Sequence, residues 1–206
     1  MEKKYFFDLL KLKKGNVKMC VNKNDAEEYT VSIIKANAFA LLIILVVIVV
    51  SAFIIINWKI SFTKEYFLVH VINFKMIAGI YLFLFLSIIL HELIHAAIFL
   101  VFCKNKKNSV KIGFKKELLT PYCYCREKLK LWQYAIGIIG PCIFLGIIPY
   151  IIAMFYKNVL ILFLGGLNIA AAAGDILILY LLIKYGKINA WVRDHPIECG
   201  FIMEKF

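Results

Sequence analysis

Four long stretches of this chain carry almost no charge, and that pattern decides its class. Residues 36–58 hold no Asp, Glu, Lys or Arg and lie between Lys35 and Lys59. Residues 76–102 lie between Lys75 and Lys104 and are apolar apart from an HELIH insert. Residues 131–156 are uncharged between Lys130 and Lys157, and residues 158–183 carry one charge, Asp175, before Lys184. Each stretch exceeds the roughly 20 residues a helix needs to cross the hydrocarbon of a bilayer. The 206 residues are 63% hydrophobic and 18% charged, against roughly 45–50% and 25% in soluble domains. Disorder and a small disulfide scaffold are excluded. An outer-membrane barrel is excluded too, since it shows alternating segments of roughly 10 residues. The predicted fold is an all-α integral membrane protein with four transmembrane helices, the last two forming a hairpin. Its parts are a basic N-terminal segment (1–35), a membrane domain (36–183) and a cytoplasmic tail (184–206).

The net charge of +12 comes from 25 Lys and Arg against 13 Asp and Glu. In a membrane protein such residues set orientation, so nucleic acid is not the expected partner. With both termini in the cytoplasm, 21 basic residues fall inside and 4 outside. A multi-pass cell-membrane protein with cytoplasmic N- and C-termini, surrounded by lipid, is therefore expected. The opening MEKKYFFDLLKLKKGNVK is basic, but Asp8 breaks its short apolar stretch, and no cleavable signal peptide is expected. Between the second and third helices, SVKIGFK alternates apolar and polar residues and LLTPYCYC follows it. This predicts a short cytoplasmic β-hairpin at the membrane surface. Cys123 and Cys125 within it form CxC, not CxxC, and are expected to be surface thiols; the six cysteines give no disulfide framework. His70, in the outer loop 59–75, reads as an interfacial side chain.

The chemistry is concentrated in His91-Glu92-Leu93-Ile94-His95. Positions i and i+4 share one helix face, so both imidazoles can reach one ion, with Glu92 placed to take a proton from a bound water. Two neutral imidazoles and a carboxylate suit Zn²⁺, which acidifies its water toward neutrality. Ionisable side chains within an apolar span need such a purpose, because burying them in hydrocarbon costs free energy. The third ligand is expected to be Asp175. His95 precedes Lys104 by 9 residues and Asp175 precedes Lys184 by 9 residues, so both lie about 13–14 Å from the cytoplasmic boundary. The alternative is a lone buried carboxylate or one paired with a lysine. Residues 170–174 (AAAAG) would offer a small surface for close approach.

Three features are more open. Asn168 lies two turns before Asp175, nearly on one face of a continuous helix. There it would orient a substrate carbonyl or make an interhelical hydrogen bond. Pro141, about 16 Å deep by helix rise, frees the carbonyl of Gly137. It either opens a water path to the metal or is an ordinary membrane proline. Asp194-His195-Pro196 in the tail reads first as turn chemistry and only second as a metal site.

With these residues in view, the chain resembles a prokaryotic family of membrane zincin peptidases. The shared features are HELIH within a span, a hairpin-like segment with TPY, GP on the next span, GD on the last, and a DHPxxxGF tail; they cover about residues 80–201. The resemblance implies a zinc metalloprotease with His91 and His95 as ligands, Glu92 as catalytic residue and Asp175 as third ligand. A wider similarity is to site-2 proteases, in which an Asn precedes a liganding Asp in a Pro-containing motif. Asn168 and Asp175 echo it without the prolines or the spacing, which leaves cleavage within or beside the membrane open. The expected function is hydrolysis of peptides or membrane proteins; the alternative is a non-catalytic zinc-binding membrane protein, such as a regulatory or immunity factor. The intact Glu92 favours the enzyme, since a purely structural site needs no base.

Overall fold

A computed structural model describes residues 18–21, 26–58, 74–105, 108–115, 120–195 and 199–205. The outer loop with His70 and the segment 1–17 lie outside the described residues. Two strands, β1 (Lys18–Val21) and β2 (Ala26–Thr30), precede helix α1 (Ile33–Asn57). Helix α2 (Phe74–Phe102) carries HELIH. Strands β3 (Val110–Lys115), β4 (Thr120–Cys125) and β5 (Leu129–Lys130) follow. The third apolar stretch is one helical rod made of α3 (Leu131–Pro141), a π-helical segment (Cys142–Ile147) and α4 (Ile148–Tyr156). Helices α5 (Val159–Ala171) and α6 (Ala173–Tyr185) come next, then β6 (Ala190–Asp194) and β7 (Gly200–Lys205).

By length and composition α1, α2 and the α3–α4 rod are able to cross a membrane, and α5 with α6 adds a fourth if the pair is one span. The continuous fourth helix expected from sequence is corrected, because the axis bends by 52° between α5 and α6. The break falls at Ala172, whose φ of −80° and ψ of 11° leave the helical range. Within the run 170–174, Ala172 and Ala173 are buried, at 0% and 2% exposure, while Gly174 faces open space. A Cβ on Gly174 would meet nothing within 4 Å, whereas one on Gly165 would come within 2.9 Å of the Tyr150 backbone nitrogen.

The expectation of an all-α chain with one hairpin misses a five-stranded antiparallel sheet, ordered β1-β2-β7-β6-β5. Three segments far apart in sequence build it: the one before α1, the one between α2 and α3, and the one after α6. Where the sheet meets the helix ends, Tyr29, Phe99, Leu129, Tyr134, Val192 and Phe201 form the main buried core. Gly200 is required there, because a Cβ would lie 2.0 Å from the Tyr29 carbonyl oxygen of the neighbouring strand. Phe201 follows it into the core.

The β3–β4 hairpin is present, paired from Val110↔Cys125 to Lys115↔Thr120. It packs against α2, and the expectation of surface thiols is corrected: Cys125 is fully buried and Cys123 half-buried. Residues two apart on a strand share a face, and this face turns inward, with Cys125 Sγ 3.7 Å from Cys103 Sγ. Burial pushes the Cys123 thiol up to about 12, so it is unreactive at neutral pH. Glu127 closes the turn between α2 and β3 by accepting from the Lys104 and Asn105 backbone N–H groups and the Ser109 hydroxyl, at 3.0, 3.2 and 2.6 Å.

Candidate metal centre

His91 and His95 stand one turn apart on α2, and Asp175 is the third residue of α6. The bend at Ala172 gives Asp175 the first turn of a helix, where exposed N–H groups favour a carboxylate. Among the described residues, these three side chains form a group with all ligand atoms within 4.8 Å of one another. His91 Nε2 lies 3.0 Å from Asp175 Oδ2, His95 Nε2 lies 3.5 Å from Asp175 Oδ1, and the two Nε2 atoms are 3.2 Å apart. An ion bound tetrahedrally at roughly 2.0–2.2 Å spaces its ligand atoms about 3.3–3.6 Å apart. The donor set therefore fits zinc in kind and in spacing. The shared depth counted from the flanking lysines corresponds to a real meeting of the three side chains.

Helix α3 packs against both α2 and α6. Its approach to α2 depends on Gly137, where a Cβ would sit 2.1 Å from the Phe99 ring. The Gly137 carbonyl is the one that Pro141, lacking an N–H, cannot bond. His95 takes it: Nδ1 lies 2.8 Å from Gly137 O. A carbonyl only accepts, so Nδ1 carries the proton and the Nε2 lone pair faces the space that His95 shares with Asp175 and His91. The proline thus serves the histidine. Phe99 stacks on the other side of the pair, 6.2 Å from the His95 ring and 5.8 Å from Tyr134.

Glu92 points away from the His–His face, as a residue about 100° around the helix must. Strand β4 packs against α2, with Cys123 half-buried along it. Two residues on, the Cys125 N–H donates to Asp194 Oδ2 at 2.6 Å. The other oxygen of Asp194 accepts from the Tyr134 hydroxyl. Loss of water around the Asp194 carboxyl pushes its pKa up to about 6, against the lowering effect of those two hydrogen bonds.

Asn168 is buried, but its amide donates to the Leu164 carbonyl of its own helix at 2.9 Å. The face it was to share with Asp175 assumed a continuous helix, and the bend intervenes. His195 keeps to the turn reading: its backbone N–H donates to Gly200 O at 3.1 Å, and its ring faces Glu28 at 3.9 Å. Sequence reasoning missed the part played by Asp194, which accepts from the Cys125 N–H and the Tyr134 hydroxyl. A main-chain donor leaves no mark on residue type. Asp194 left one signal, a carboxylate at the end of a segment that alternates Ala190, Val192, Asp194 on one face.

A family profile described as putative zincin peptidase matches residues 84–189, half of the chain. The match takes in HELIH, the hairpin, the α3–α4 rod and Asp175, and it stops before the DHPIECGF tail. No curated protein and no solved structure matches the chain.

Proposed function

The chain belongs to the family described as putative zincin peptidase; from that premise we propose that it is a membrane-embedded zinc metallopeptidase cutting peptides or membrane proteins in or near the bilayer. The observation that carries this reading is the convergence of His91, His95 and Asp175 to zinc-ligand spacing beside an intact Glu92. His91, His95 and Asp175 would hold the ion. When bound, zinc supplies Lewis acidity and a water acidified toward neutral pH. Glu92 is the proton carrier: its carboxylate takes a proton from the attacking water and returns it to the leaving amine. His95 keeps its Nδ1 proton on Gly137 O throughout, which fixes the ring while charge moves elsewhere.

Lipid is the proposed surrounding, because three helices and one bent pair are long and apolar enough to cross a bilayer. The sheet supports an even number of crossings. Strands from before α1, from between α2 and α3, and from after α6 hydrogen-bond to one another, so these segments share one side. They are also the segments richest in Lys and Arg, which favours the cytoplasm. Exposed Cys199 tests this. An impermeant maleimide should label it only after cells are opened; labelling in intact cells would invert the topology.

The catalytic reading is tested with purified wild type and Glu92→Gln on a panel of membrane-derived peptides. Glu92→Gln should keep about one zinc per chain and lose about 10²–10⁴-fold in turnover. A Glu92→Gln protein that loses its zinc makes Glu92 a ligand, and one that cleaves like wild type overturns the mechanism.

A further inference from the structure

We propose that Cys103 and Cys125 are a redox-active thiol pair, which a hydroperoxide oxidises to a disulfide that ties helix α2 to strand β4. The pair begins eight residues past His95, about two helical turns along the chain, and its chemistry is independent of the peptidase reading.

The two sulfurs are in contact at 3.7 Å. Cys103 follows the last residue of α2, with its backbone N–H still donating to Phe99 O at 2.9 Å, and Cys125 ends β4. Both are buried, Cys125 completely and Cys103 at 5% exposure. The Cys125 S–H donates to the Glu127 carbonyl at 3.5 Å, which leaves the lone pairs of that sulfur for Cys103. The backbone holds both residues in place. Asp194 takes the Cys125 N–H at 2.6 Å, and Glu127 takes the Lys104 and Asn105 N–H groups just past Cys103. Two thiolates on one zinc ion would lie about 3.8 Å apart, but a closed zinc site takes four protein ligands. Among the described residues no third Cys, His, Asp or Glu ligand atom gathers with this pair, so the contact favours a bond between the sulfurs.

Cys103 keeps the only exposed surface of the two and is the thiol that meets the oxidant; Cys125 resolves the product. Burial pushes the Cys125 thiol well above the ordinary thiol range, so it does not start the reaction. With hydrogen peroxide, the Cys103 sulfur attacks one oxygen and the O–O bond breaks. Cys103 becomes a sulfenic acid, and its proton leaves with the other oxygen as water. The Cys125 sulfur then attacks the Cys103 sulfur. The S–O bond breaks, and the hydroxide leaves with the Cys125 proton as a second water. The two thiols lose two electrons and the peroxide gains them. Burial makes this slow, so the pair answers sustained oxidant, and a thiol reductant restores it. The bond draws the sulfurs to about 2.05 Å and closes a covalent loop over residues 103–125. The helix that carries HELIH and the strand bonded to Asp194 then move as one.

The test treats the full-length protein in detergent with excess hydrogen peroxide, alkylates the remaining thiols and digests with trypsin. A disulfide should join the peptide ending at Lys104 to the one ending at Arg126, with fragment spectra placing it at Cys125, and dithiothreitol should release it. The thermal midpoint of the oxidised protein should exceed that of the reduced protein by about 5 °C or more. Cys125→Ser should stop at the sulfenic acid, so that dimedone adds to Cys103, whereas Cys103→Ser should give neither product. Cys123→Ser should form the bond as wild type does. If the serine variants do not accumulate, the wild-type peptide map decides by itself. A bond from Cys103 to Cys123 or Cys199 would overturn the proposal, as would Cys103 and Cys125 both remaining open to alkylation after peroxide. A second metal ion per chain that is lost in Cys103→Ser would also overturn it, making the pair metal ligands.

Discussion

On the side of the molecule under the sheet, Phe99, Tyr134 and Phe201 are each no more than 1% exposed and lie in sequence against one another, with His95 stacked on Phe99. On the far side the buried cluster is Tyr150, Ala153 and Leu162, joined to α1 by a 2.8 Å hydrogen bond between Tyr150 and Ser51. The faces around it, with Leu41, Leu45 and Phe53 of α1 among them, are left exposed. In the proposed setting lipid covers those faces, and lipid supplies no hydrophobic drive between helices. The sheet side is different. Its core is sealed by strands, one of which carries the hydrogen-bonded carboxylate of Asp194, and His95 of the candidate site stacks on it through Phe99. Rigidity is concentrated where ligand atoms must be held to tenths of an ångström, and the far helices serve to span.

The comparison can be broken by truncating one residue on each side. Phe201→Ala should cost about 3–5 kcal/mol and weaken zinc retention, because Phe201 supports Tyr134. Leu162→Ala should cost about 2–3 kcal/mol and leave zinc affinity alone. Denaturant unfolding in detergent and chelator competition measure both. Equal losses of zinc affinity would erase the distinction between the two sides. A smaller substitution sharpens it. Pro141→Ala restores an N–H that competes with His95 for Gly137 O, and zinc affinity should fall about 10–100-fold with the fold intact. Unchanged affinity would mean that the His95 tautomer is fixed elsewhere.

The three candidate ligands were legible because the arithmetic behind them is local. A motif places two histidines on one face, and a count of residues from Lys104 and Lys184 places Asp175 at their depth. The sheet was not legible for the opposite reason. Its strands are short, such as the five residues AEEYT of β2, and charged, and their partners lie far away in sequence. Periodicity in a short window carries no word of a partner so distant. Asn168 was misplaced by one assumption, a straight helix, which Ala172 breaks. The fate of the Gly137 carbonyl was half legible. The missing proline N–H announces a free acceptor, but only the packing of α2 against α3 shows that a histidine claims it.

The sheet also fixes an order of events during synthesis. Strand β2 has its register partner for Ala26 at Glu204, and for Thr30 at Gly200. A growing chain can form α1 and α2, complete HELIH and even meet it with Asp175, all before β7 exists. Until residues 190–205 have been made, β2 has no β7 to pair with, Tyr134 lacks Phe201, and Cys125 lacks Asp194. The candidate ligands are made early and the sheet over the Tyr134–Phe201 core is completed last, so a partly made chain carries His91, His95 and Asp175 without the closed frame beneath them.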